Sequence, residues 1–126
     1  MKNQQIDSKY LLSLKNKAFA SEIFEYLEGR ILNPKDLEIL TNHLVANEIL
    51  GNISRANRVK KPYQYAFIKE YHKDDDAIIN GHRRYYKDLR FRYDGKSYLI
   101  TNDWYLPTNK HIRDNKTPFI EWVKSL

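Results

Sequence analysis

Apolar residues in the first fifty positions keep an approximate helical spacing. Leu11, Leu12, Leu14, Ala18, Phe19, Ile23, Phe24 and Leu27 fall on one side of a helix. Asp7 or Ser8 supplies an N-cap ahead of them, the pattern weakens near Asn16-Lys17, and Gly29 is a C-terminal stop. A second start follows at Asn33-Pro34, a capping residue with proline at the first helical position. Leu37, Leu40, Leu44 and Val45 then form one stripe that Gly51 closes. The first fifty residues therefore predict two packed helices.

The second part of the chain changes period. Asp94-Gly95 is a two-residue turn pair with alternating sequence on both sides, which predicts a β-hairpin. That tip pairs Phe91 with Tyr98 and Leu89 with Ile100, on an apolar face shared with Tyr85 and Trp104. The other face then carries Arg84, Tyr86, Arg90 and Arg92 towards solvent, across from Ser97, Thr101 and Tyr105, with Leu99 as its one misfit. Upstream, Tyr63 to Tyr71 suits a helix starting at Pro62 or a strand face equally well. Asp74-Asp75-Asp76 reads as a solvated turn, and Ala77-Ile78-Ile79 as a short buried strand. Thr117-Pro118 opens a last short helix, with Phe119, Trp122, Val123 and Leu126 on one face.

The expected architecture is α+β: an N-terminal helix pair packed on a small antiparallel sheet and closed by a short C-terminal helix. At 126 residues the chain fits one domain, with residues 1–50 helical and 51–126 mainly β and ending in the helix.

Charge sharpens this division. Residues 1–50 hold six Lys/Arg against seven Asp/Glu, whereas residues 51–126 hold sixteen against nine together with eight of the ten tyrosines. A one-sided basic, aromatic-rich region is the footprint of a polyanion partner. Within it, residues 51–62 carry Arg55, Arg58, Lys60 and Lys61 and no acid. With Arg83, Arg84, Tyr86, Arg90 and Arg92 they make a candidate nucleic-acid surface, guanidinium groups meeting phosphates and tyrosines stacking on bases.

Other chemistry is thinly represented. The chain has no cysteine, so disulfides and thiolate metal sites are excluded and a cytoplasmic location is expected. His43, His72, His82 and His111 show no short ligand spacing, and the Asp74–Asp76 triplet suits hydration better than a cation. Asp103, Asn109 and His111 are of the right types for a metal-dependent nuclease but lack the signature around them. Four glycines in the whole chain leave no phosphate-cradling loop, so neither cofactor nor metal is expected. No apolar run has membrane-spanning length, and Met1 to Gln5 leads into no secretion core. Ile53-Ser54-Arg55 is similar to the start of a recognition helix, but Leu40, Leu44 and Ile49 depart from the helix-turn-helix spacing.

The expected role is a small basic nucleic-acid-binding module of the bacterial or phage kind, working on DNA or RNA. Two other classes stand beside it. One is a metal-independent ribonuclease using His82, Arg83, Arg84, Tyr86 and Arg92 for proton transfer and charge stabilisation. The stretch Leu89 to Gly95 resembles the central hairpin of small bacterial ribonuclease toxins, although the N-terminal strand of those toxins has no counterpart here. The other is a protein–protein adaptor or inhibitor whose charge is incidental. A homodimer or a larger parent assembly is compatible with each reading.

Overall fold

The computed structural model describes residues 6–28, 30, 32–50, 66–106 and 114–126. Asp7 opens α1 (Ser8–Leu12) by accepting the Tyr10 N–H on its carboxylate at 3.1 Å. Ser13 ends it, with its hydroxyl donating to the Tyr10 carbonyl at 2.6 Å, and the chain restarts as α2 (Asn16–Glu28). Asn33 opens α3 (Pro34–Thr41) through a reciprocal box. Its side chain accepts the Asp36 N–H at 2.8 Å, and the Asp36 carboxylate accepts the Asn33 N–H at 3.3 Å.

The expected second helix is then cut at Asn42. This residue is extended (φ −130, ψ 110), and its side-chain oxygen accepts the Leu44 N–H at 2.9 Å to start α4 (His43–Leu50). Four helices thus stand where two were expected, because Ser13 and Asn42 offer the backbone side-chain partners that compete with helix continuation. The extended residue also swings Leu44 out of its stripe: Leu44 is 63% exposed, while Leu40 is fully buried.

The remaining elements are β1 (Ile68–Glu70), a 3₁₀ turn (Asp74–Ala77), β2 (Ile78–Ile79), β3 (His82–Arg83), β4 (Tyr85–Tyr93), β5 (Lys96–Thr101) and α5 (Lys116–Lys124). Strands β1, β5 and β4 form an antiparallel sheet in that order, and β2 pairs with β3 in a separate ribbon. Two tight turns close the hairpins with positive φ, Asn80-Gly81 between β2 and β3 and Asp94-Gly95 between β4 and β5. The short buried strand expected at Ala77–Ile79 is instead divided. Ala77 is buried at the end of the 3₁₀ turn, and Ile78 in the strand is exposed.

One face of the sheet meets the helices. Ile68, Phe91, Tyr98 and Ile100 join Leu11, Phe19, Phe24, Leu40, Ala46 and Val123 in a core that draws on all five helices. Its centre is aromatic. The fully buried Phe119 ring lies 4.7 Å from Phe67, 5.2 Å from Trp104, 5.6 Å from Phe24 and 5.5 Å from Trp122. At the base of α5, the buried Asn115 side chain ties the chain crossing to it. Its oxygen accepts the Tyr105 N–H at 2.7 Å, and its amide donates to the Asp103 carbonyl at 2.7 Å. Next to it Lys116 is buried against the Phe19 ring and donates to the Leu14 carbonyl at 3.3 Å. Burial lowers the pKa of its amine, and the nearby Asp114 carboxylate works against that shift.

The other face of the sheet has a small core of its own. The pairing Phe91↔Tyr98 and Arg90↔Leu99 follows the expected register, but the next partners are Tyr85↔Thr101. Five steps along β4 therefore stand opposite two along β5. The excess is odd, so side chains upstream of it exchange faces. Tyr85, expected beside Phe91, instead packs with Leu99 and Ala77 in a second buried cluster flanked by Tyr71 and Ile79. Leu99 is thereby explained: it anchors the 3₁₀ turn and the β2–β3 ribbon to the outer face.

Both cores are expected to respond to truncation. Trp122→Ala should cost about 3–5 kcal/mol and Leu99→Ala about 2–5 kcal/mol in denaturant unfolding. A value under about 0.5 kcal/mol for Leu99→Ala, the range of an ordinary surface substitution, would mean that the second cluster contributes nothing to the fold.

Candidate functional site

Alternation along three paired strands brings Lys69 and Tyr71 from the β1 side, Ser97 and Leu99 from β5, and Arg90 and Arg92 from β4 to the outer face. No acidic side chain belongs to this set. The opposite face of the same strands takes Ile68, Phe91, Tyr98 and Ile100 into the main core. Backbone pairing continues past β1, with the Tyr71 N–H donating to the Ser97 carbonyl at 2.9 Å.

Arg90 is the most constrained of these residues. Its Cζ lies 4.0 Å from the centre of the Tyr71 ring, across the width of β5. Its Nη1 donates to the Lys87 carbonyl at 2.7 Å and to the Leu89 carbonyl at 3.0 Å, so the guanidinium also caps the irregular stretch of β4. Tyr71 is fixed in turn, its hydroxyl donating to Asp74 Oδ1 at 3.0 Å. Arg90 was expected to stand free in solvent; in the structure it is half-buried and built into the surface. Arg92 is exposed, and its backbone N–H donates to Glu28 Oε2 at 3.2 Å. Among the described residues neither Lys69 nor Arg92 has an ion-pair partner.

Carboxylates border these cations. Asp76 accepts the N–H groups of His72 at 2.7 Å and Lys73 at 3.0 Å, which holds its carboxyl below the ordinary range. Lys17, 2.5 Å from Asp88, does the same for that carboxyl. Glu70 lies 3.7 Å from His72 and 4.0 Å from Lys96. The Asp74–Asp76 triplet is therefore wired into the 3₁₀ turn through Asp74 and Asp76. Among the described residues no group of three or more His, Asp or Glu is gathered so as to hold a metal ion.

The other predicted site residues are dispersed. Tyr86, expected beside the arginines, packs against the main core on the opposite side of the sheet, turned there by the odd excess in β4. Desolvation, with the Asp88 charge adding to it, pushes its phenol up to about 12. Arg84 is half-buried where the two sheets meet, its N–H donating to Ala77 and its carbonyl accepting the Asn102 N–H. His82 and Arg83 are exposed on the β3 strand of the small ribbon. Arg55, Arg58, Lys60 and Lys61 lie outside the described residues, as do Asn109 and His111. Asp103 accepts the Tyr105 hydroxyl on its carboxylate. Sequence reasoning missed Lys69 and Tyr71, whose alternation with Ile68 and Glu70 was hidden by an undecided helix-or-strand assignment.

Comparison of the chain with protein families, curated proteins and solved structures finds no match. Among the described residues no helix is long and apolar enough to cross a membrane.

The two arginines should differ in what their loss does to stability. Arg90→Gln is expected to cost about 1–2 kcal/mol by removing the stack and the two carbonyl bonds, whereas Arg92→Gln stays within about 0.5 kcal/mol. Equal effects in urea unfolding would contradict the placement of Arg90. Tyr86 makes a prediction in alkali. Its folded pKa, about 12, lies above the ordinary phenol value, so the unfolded chain loses this proton first and stability falls as pH rises from 10 towards 12. Tyr86→Phe should make that fall shallower when urea midpoints are compared from pH 9 to 12; an unchanged slope would show that the phenol titrates normally.

Proposed function

We propose that this protein is a nucleic-acid-binding module and that the outer face of its three-stranded sheet is the contact surface. The observation that carries this reading is the composition of that face. Lys69, Arg90 and Arg92 share it with Tyr71 and Ser97, Glu70 of β1 falls on the opposite face with Tyr98, and Lys69 and Arg92 have no ion-pair partner among the described residues. A cationic patch with an aromatic side chain, beside the Leu99 cluster on the same face, suits contact with a phosphate backbone. The basic excess of residues 51–126 supports the same partner and extends the field beyond the face.

Lys69 and Arg92 neutralise phosphates, and Arg83 adds a cation on the neighbouring ribbon. Arg90 and Tyr71 form the fixed element against which the ligand is placed. Cleavage of RNA is less well supported. Tyr86 lies across the sheet from Arg90 and Arg92, so the expected proton-transfer set does not converge.

Anisotropy titrations with duplex DNA, single-stranded DNA and RNA at several salt concentrations test the reading. Binding should weaken steeply with salt, and the double variant Lys69→Gln, Arg92→Gln should make the log–log slope shallower by roughly 1.5, the loss of two phosphate contacts. An affinity indifferent to salt, or a slope unchanged in the double variant, would overturn the assignment and favour a protein-binding role.

A further inference from the structure

We infer that Arg90 is a base-reading fork for guanine, within the nucleic-acid role on which this inference rests. A guanidinium has five N–H donors in one plane. Nη1 is spent on the Lys87 and Leu89 carbonyls at 2.7 and 3.0 Å, and Nε and Nη2 have no partner among the described residues. These two nitrogens form the side-on edge of the group, where two N–H bonds point the same way. Their parallel donors match the O6 and N7 acceptors of guanine.

Two features separate this fork from an ordinary phosphate contact. The first is fixation. Tyr71 lies 4.0 Å beneath the guanidinium and is itself held by Asp74, so the free edge keeps one direction relative to the sheet. Base discrimination needs such a direction, whereas phosphate neutralisation is already provided by the unconstrained Lys69 and Arg92. The second is local charge. The Asp74 carboxylate sits on the Tyr71 hydroxyl, and the Asp88 carboxylate interacts electrostatically with Arg90. Two nearby carboxylates oppose a phosphate anion at this spot, while a neutral acceptor pair such as the guanine edge meets no such opposition.

The test uses short oligothymidine, the same strand with one central guanine, and that strand with 7-deazaguanine, which replaces the N7 acceptor by C–H and changes nothing else on the base. Affinities are measured with the parent protein and with Arg90→Lys, which keeps the charge and loses the fork. The guanine strand should bind roughly tenfold or more tightly than oligothymidine, and 7-deazaguanine should remove most of that gain. Arg90→Lys should abolish the preference, so that the guanine strand and oligothymidine bind that variant alike. Because 7-deazaguanine leaves the protein untouched, the comparison holds even if Arg90→Lys unfolds. Salt-sensitive binding of all three strands with equal affinity would overturn the fork and leave the nucleic-acid role standing. A guanine preference that survives in Arg90→Lys would also overturn it. Failure of every strand to bind, alongside failure of duplex DNA and RNA, would sink the role itself and the fork with it.

Discussion

A strand paired along its whole length has no freedom over which side chains face the core; alternation decides. In β4 that rule is suspended once, where five steps oppose two on β5. The odd excess exchanges Tyr85 and Tyr86 between the two sides of the sheet. Tyr85 can then cover Leu99, and its hydroxyl donates to the Ala66 carbonyl at 2.9 Å, joining β4 to the chain just ahead of β1. The irregular backbone leaves carbonyls at Lys87 and Leu89 that need donors, and the Arg90 guanidinium supplies them. One local irregularity thus produces the second core, the placement of the 3₁₀ turn and the fixed arginine of the outer face.

The legible parts of the sequence were those with short-range signals. Asp7 and Asn33 cap as their side chains suggest, Asp94-Gly95 sets the turn, and Phe119 with Trp122 packs as the i, i+3 spacing implies. Asn80-Gly81 carried an equally strong turn signal, and its hairpin was within reach of the same argument. The excess in β4 was not. Tyr86-Lys87-Asp88-Leu89 interrupts the alternation, but the break alone gives neither the size of the excess nor what it places beside Leu99. The apparent misfit was the signal. Asn42 is comparable: its capping geometry is local, but choosing between a continuous helix and a broken one depends on what Leu44 would have packed against.

The candidate site shows the same mixture. Arg90 and Arg92 were placed on one face correctly, because the register from the Asp94-Gly95 tip is regular as far as Leu99. Tyr86 and Arg84 lie beyond that point and followed the excess. Lys69 and Tyr71 needed the pairing of β1 with β5, a contact between residues some thirty positions apart that periodicity alone does not reveal. The cationic face is a property of the sheet, and all three strands were needed before it had its full membership.

The Glu28 carboxylate on the Arg92 N–H has a meaning beyond the geometry of α2. β4 is the long outer strand of the sheet, and its unsatisfied backbone groups are a template on which another chain can add a strand. Glu28 occupies one of those donors, and the Lys17–Asp88 pair lays a charged bridge across the same margin. The far margin, β1, is three residues long and offers little to copy. Charge at one border and brevity at the other are features that discourage a second chain from extending this sheet.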